Sequence, residues 1–247
     1  MSKTRKQHLN TENESESNVR ILGANKRLHS HDVKPFKAKS ENQAEFLRLY
    51  YQDIPIISLH GWAGTGKTYL ALAAAMEEAF DSSSPYEKIT IIRSAVEVRK
   101  KGFLPGTEEE KMAVYERPYE SIFRELLSFK DGYRHAKALG QVDFISSSFL
   151  RGDTFNDQIV IVDEAENMDY AELSTIMTRV GVNCRMIFIG DDRQTDLTRH
   201  REVSGFNQLR KVLNEMSQDL VGMVDFTQDD IVRSEIVKQF LIAESRI

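Results

Sequence analysis

The stretch IPIISLHGWAGTGKTYLALAAAMEEAF, residues 54–80, constrains the fold of this 247-residue chain more than any other. An isoleucine-rich run leads into Gly61, four residues separate it from Gly66-Lys67-Thr68, and an alanine-rich stretch of helical character follows. That strand–loop–helix order is the setting in which a glycine-rich loop holds a polyphosphate. Glycines let the backbone turn successive N–H groups toward phosphate oxygens, and the following helix adds its positive end. The pattern predicts a nucleotide site built from Gly61, Trp62, Ala63, Gly64, Thr65, Gly66, Lys67, Thr68 and Tyr69. Lys67 should reach the β- and γ-phosphates, and the Thr68 hydroxyl should take a place on Mg²⁺.

From about residue 40 onward, apolar runs alternate with helical patterns. IPIISL (54–59), KITIIR (88–93), QVDFIS (141–146), QIVIVD (158–163), CRMIFIG (184–190) and VGMVDF (221–226) read as strands. Runs such as IVIV and MIFI, apolar almost throughout, suit strands covered on both faces. Helical patterns occupy 67–80, 169–180, 204–217 and 230–245. The alternation predicts an α/β fold, a single domain with a mostly parallel, doubly wound sheet and helices on both faces. Residues 1–33 show no sustained apolar period and are expected to form a flexible basic arm ahead of a domain spanning 34–247. Residues 94–140 break the rhythm with charged, Gly- and Pro-punctuated sequence, an excursion expected to be helical in its second half.

Hydrophobic residues make up 40% and charged residues 29%, a globular mix that excludes global disorder and fibrous repeats. No apolar run reaches the ~18–20 residues of a membrane span, and the polar start lacks a signal-peptide core, so no membrane role and a cytoplasmic location are expected. Cys184, the single cysteine, falls in an apolar run and reads as a core residue. The six histidines are scattered without zinc spacing. Residues 1–40 carry nine Lys/Arg against four Asp/Glu, leaving 24 basic and 34 acidic residues elsewhere. Such an arm either touches a polyanion or is simply solvated.

The run IVIVDEAEN ends a predicted strand in Asp163-Glu164, at the sheet edge where ligands bind. Asp163 would hold Mg²⁺ through its water shell and Glu164 would polarise the attacking water. The bland alternative is an N-cap for the next helix. FIGDDRQTD places Gln194 at another strand end, as a sensor of the γ-phosphate or water. QDDIVRSEIV offers Arg233 to stabilise transition-state charge, unless it is a surface arginine paired with a neighbouring acid. The guanine-reading pattern Asn-Lys-x-Asp is missing after the loop, and Phe36 and Gln43 precede the first strand, where an aromatic face and an amide suit adenine. ATP is the expected nucleotide.

The ordered set GWAGTGKT, GFLPG with a nearby RPYE, FLRGDTFNDQIVIVDEAEN, GDDRQTDL, SGF and DIVRSEIV resembles the PhoH-like family of phosphate-starvation ATPases over about residues 36–245. The resemblance implies a single RecA-like core related to superfamily-one helicases, with Gln43 at adenine, Lys67 and Thr68 at phosphate and Mg²⁺, Asp163 and Glu164 for hydrolysis, Gln194 as sensor and Arg233 as finger. Two positions depart from the family pattern. Arg93-Ser94 stands where Arg-Pro is common, and Glu166 stands where the family reads DEAQ. A carboxylate cannot donate the hydrogen bonds of an amide, so the second departure bears on how nucleotide state is relayed.

Only about fifty residues follow GDDRQTDL, too few for a second RecA-like lobe. Arg233 is therefore expected to act in trans, within a ring or other homo-oligomer, for which a hexamer is plausible. Arg99, Lys100 and Lys101 of the excursion are candidates for gripping single-stranded nucleic acid, RNA in preference to DNA. The leading expectation is a nucleic-acid-stimulated ATPase, with helicase action as its extension. Its rivals are a nucleotide-dependent assembly switch that binds a protein partner, and a small-molecule phosphotransferase.

Overall fold

The computed structural model describes residues 26–94, 108–150, 152, 154–191 and 205–246. Six strands, β1 (Ile56–Gly61), β2 (Lys88–Arg93), β3 (Val142–Ser146), β4 (Gln158–Asp163), β5 (Cys184–Gly190) and β6 (Val221–Phe226), form one sheet in the order β3-β2-β4-β5-β1-β6. Every pairing is parallel. The central strands β4 and β5 are buried along their whole length, which is why their sequences are apolar without alternation.

Seven helices are described: α1 (Glu41–Tyr51), α2 (Lys67–Ala79), α3 (Glu108–Leu126), α4 (Gly132–Ala138), α5 (Tyr170–Met177), α6 (Gly205–Asn214) and α7 (Glu235–Glu244). Strand side chains alternate between two cores. Ile57, Leu59, Ile159, Ile161, Ile187 and Ile189 pack with α1, α2 and α3, while Ile56, Val160, Val162, Met186 and Phe188 pack with α5 and α6. The expected doubly wound sheet with helices on both faces is therefore the fold. α2 is the most enclosed helix: Leu70 through Met76 are all buried. Its alanines fit that position, since a methyl lets a helix lie close against a sheet between two neighbours.

Four strands have the limits expected from sequence, and two are displaced. β1 runs to Gly61 because β6 pairs beside it, and Trp62 N donates to the Phe226 carbonyl at 3.2 Å. β3 begins one residue late because Gln141 turns its amide to the backbone of Leu28, accepting from its N–H at 2.8 Å and donating to its carbonyl at 2.9 Å. Leu28 is buried in the core, so the last residues assigned to the arm, from Leu28 to Val33, belong to the folded body. Residues 1–25 lie outside the described residues. α1 has no counterpart among the expected helices, although Ser40 caps it and its buried residues Gln43, Phe46 and Tyr50 fall at helical spacing. The excursion carries α3, which already starts in its first half, and α4 in its second half, where helices are expected. Cys184 is buried, and burial pushes its thiol up to about 11. Among the described residues, no helix is long and apolar enough to cross a membrane.

Candidate active site

The carboxyl ends of β1, β5 and β4 meet at a cavity of about 600 Å³. Its floor is the loop from Ala63 to Thr68, and α3 contributes a wall through Pro118, Ser121, Ile122 and Glu125. Two loop glycines have backbone reasons to be glycine. Gly61 sits at φ +117°, and a Cβ there would meet the Phe226 carbonyl oxygen at 2.0 Å. Gly66, at φ +80°, is the N-cap of α2 in the left-handed region that L side chains avoid.

Lys67 Nζ lies inside the loop, donating to the carbonyls of Gly61 and Trp62 at 2.7 Å each and to Thr65 Oγ1 at 3.3 Å. Burial lowers its pKa, against the opposing pull of Asp191, Glu166, Asp163 and Asp230. A desolvated ammonium ringed by neutral carbonyls is ready to exchange them for phosphate oxygens. Tyr69 borders the same space, whereas Gly61 and Trp62 do not line it and serve as acceptors for Lys67.

Thr68 Oγ1 donates to Asp163 Oδ1 at 3.0 Å, so the two residues expected at Mg²⁺ are adjacent. The other carboxylate oxygen accepts from the buried Tyr119 hydroxyl of α3 at 2.9 Å. Among the described residues, no three His, Cys, Asp or Glu side chains converge as a metal cage. A hydroxyl beside one carboxylate, all oxygen, fits Mg²⁺, which keeps several waters and takes phosphate oxygens rather than a full protein shell.

Glu164 borders the cavity at φ +53°, ψ +43°, a left-handed conformation for a non-glycine residue at the end of β4. Its carboxylate is held by Arg93, with Nε donating to Oε2 at 2.9 Å and the terminal nitrogen donating to Oε1. The N-cap alternative for the acidic pair does not hold: Asp169 caps α5, accepting from Glu172 N at 2.8 Å.

Arg233 borders the cavity of its own chain, with its Cγ 3.0 Å from where a Cβ on Gly64 would stand. The bare Gly64 makes room for this approach, and Val232 N donates to the Gly64 carbonyl at 3.0 Å. The turn that delivers it is fixed by Asp230, which accepts from Thr227 N at 2.7 Å and from Asn42 Nδ2 at 2.8 Å. Arg233 thus reaches the loop in cis, ahead of α7 rather than within it, and makes no ion pair among the described residues.

Gln43 is brought to the cavity but braces the loop: Nε2 donates to the Thr65 carbonyl at 2.7 Å and Oε1 accepts from Lys39 N at 2.6 Å. Phe36 packs against the core instead of lining the cavity. Gln194, Arg99, Lys100, Lys101 and the GFLPG segment lie outside the described residues. No local pattern points to Tyr119, Arg93 or the α3 wall. The RPYE string containing Tyr119 was visible, but nothing local tied it to Asp163.

Glu166 is buried beneath the cavity, its Oε2 accepting from Asp191 N at 3.1 Å. Burial raises its pKa to about 8, helped by Glu164 and Asp163 and opposed by the backbone N–H groups of Glu166 and Asp191. At neutral pH the group keeps its proton and can donate one hydrogen, so it resembles the family's amide more than the bare residue exchange suggests. The sign of the pH dependence follows. The folded pKa lies above the unfolded one, so the group's contribution is full below about 4.5 and is lost as pH rises toward 8. Glu166→Gln in metal-free protein should therefore gain stability over the wild type with rising pH, by on the order of 2 kcal/mol near pH 8. Urea titrations at pH 5.5 and 8.5 check this; an equal difference at both values would refute it.

A second cavity, of about 650 Å³, lies between α3, α4 and β3. Its buried Glu116 is closed off by Lys137 Nζ at 2.7 Å and the Tyr133 hydroxyl at 2.8 Å, so it offers no comparable phosphate chemistry.

A sequence profile described as PhoH-like protein matches residues 35–244. The chain is 33% identical over 218 residues to Protein PhoH of Escherichia coli K12, covering 87% of this chain and 60% of that protein. It is 32% identical over 214 residues to a PhoH-like protein of Bacillus subtilis, covering 85% and 64%. A PhoH-like protein of Mycobacterium tuberculosis H37Rv is 30% identical over 241 residues, covering 96% and 65%. The chain spans somewhat under two thirds of the length of these curated relatives.

Proposed function

The chain belongs to the PhoH-like family, and from that premise we propose that it hydrolyses ATP with Mg²⁺, in a cycle coupled to single-stranded RNA or DNA. The observation that carries the proposal is the convergence of Lys67, Thr68, Asp163, Glu164 and Arg233 on one cavity of one chain. Lys67 and the loop N–H groups bind and orient the phosphates. Thr68 and Asp163 would hold Mg²⁺, which would supply neutralisation of the charge that develops on the phosphates. Glu164 accepts a proton from the attacking water, and Arg233 stabilises charge on the transferring group. Coupling to nucleic acid is supported by α3, which follows Arg99, Lys100 and Lys101 in sequence, walls the cavity and bonds Asp163 through Tyr119. Helicase action is the extension of this reading.

A ring-like homo-oligomer is part of the proposal, and within one chain Arg233 already lies against its own loop. The second reading, a nucleotide-dependent assembly switch, is favoured by one observation: Ile236 and Phe240 of α7 are 83% and 63% exposed a few residues after Arg233.

Phosphate release from ATP should rise when single-stranded RNA is added, and Glu164→Gln should abolish both rates. Release that ignores RNA would favour the switch. Nucleotide binding has its own readout, because the carbonyl of Trp62, the only tryptophan, holds Lys67. Mg-ATP should change Trp62 fluorescence in the wild type and leave it unchanged in Lys67→Ala.

A further inference from the structure

Arg93 ends β2 in register with Asp163 on β4, one residue from the carboxylate proposed to act on water. Its guanidinium meets that carboxylate fork to fork, through Nε at 2.9 Å and through a terminal nitrogen. Pairing of this kind fixes the direction of a carboxylate as well as compensating its charge. Both oxygens of Glu164 accept N–H groups of one side chain, which fixes the direction in which the remaining lone pairs point.

The partners are unequally anchored. The Arg93 side chain is 15% exposed and lies 5.6 Å from the centroid of the Tyr115 ring on α3, whereas the Glu164 side chain is 39% exposed. Arg93 is the better buried jaw and Glu164 the more exposed one, so the ion pair between them costs little to open. Glu164 already borders the cavity, so side-chain rotation suffices.

On the hydrolytic reading above, we propose that Arg93 is a positioning residue that clasps Glu164 in a resting pose, and that turnover requires the clasp to open. The contact restrains hydrolysis until something moves the jaw. α3 is the element able to do so. Tyr115 lies against Arg93 and Tyr119 bonds Asp163, so a shift of α3 against the sheet reaches both acidic residues.

The test compares steady-state ATP hydrolysis, without nucleic acid, by the wild type, Arg93→Ala, Arg93→Gln and the double variant Arg93→Ala/Glu164→Gln. Opening the clasp should raise kcat about fivefold, the span of one partly exposed ion pair, with KM for ATP within about twofold. The gain should vanish in the double variant. Arg93→Gln, which keeps more of the side chain than alanine and one donor group, should rise in the same direction and guards against misfolding of the alanine variant; Trp62 fluorescence with Mg-ATP verifies that each variant binds nucleotide. A wild type that hydrolyses ATP while both Arg93 variants are unchanged or slower overturns the clasp and leaves the hydrolytic reading standing. Nucleotide binding without hydrolysis in the wild type and both single variants overturns the two together.

Discussion

Arg233→Ala is expected to lower kcat for ATP by about 10³-fold or more, the scale on which an arginine at the γ-phosphate acts. Binding of nucleotide, read through Trp62, should survive, because Lys67 and the loop N–H groups remain. The placement of Arg233 against Gly64 of its own loop makes the result sharper than a single loss. If Arg233 and Glu164 serve the same cavity, mixing Arg233→Ala protein with Glu164→Gln protein cannot assemble a complete site from two defective chains. The mixture should stay as inactive as its components. Recovery of activity on mixing would mean that the finger arrives from a neighbour, and would restore the trans arrangement first expected from sequence. Arg233→Lys should recover little, since an ammonium lacks the planar fork that engages two phosphate oxygens.

The second large effect concerns stability and lies at the opposite end of the sheet. Arg185, near the start of β5, is 1% exposed. It donates to Asp53 at 2.8 Å and to Glu78 of α2, with its guanidinium 4.2 Å from the Tyr50 ring centroid and 5.2 Å from that of Tyr86. The group ties α1, α2 and β5 together through one cation. Arg185→Ala leaves Glu78 without its buried partner and opens a void between two rings, a combination that costs about 3–5 kcal/mol. For a chain of this size that lowers Tm by roughly 10 °C or more. Arg185→Met paired with Glu78→Gln keeps volume and removes the stranded charge, so it should recover most of the loss. A double variant no more stable than Arg185→Ala would show that the stacked guanidinium itself, rather than charge compensation, holds the three elements.

The two regions also explain why parts of the molecule were legible in advance. The limits of β2, β4 and β5 follow from sequence because a strand buried on both faces must be apolar along its run and must stop where polar residues begin. The phosphate loop is equally local, since its glycines, Lys67 and Thr68 act within eight consecutive residues. Asp163 and Glu164 were legible because a strand end on the carboxyl edge of a parallel sheet is a ligand position whatever its neighbours are.

Local signals stop there. α1 is not legible locally because it buries only three of its eleven residues, so its apolar stripe is thin. The arm was assigned too many residues because Leu28 is an isolated apolar residue, and its burial depends on Gln141, 113 positions away. The bond between Tyr119 and Asp163 spans 44 positions and that between Arg93 and Glu164 spans 71. By itself the sequence determined which segments become strands, which loop cradles phosphate and which strand ends carry acid, because each depends on the chemistry of a few adjacent residues. Only the tertiary structure decided that Arg233 meets its own loop, that Gln43 braces it and that Arg93 grips Glu164. Those contacts depend on strand order, and strand order is set by how all six strands and their covering helices pack at once.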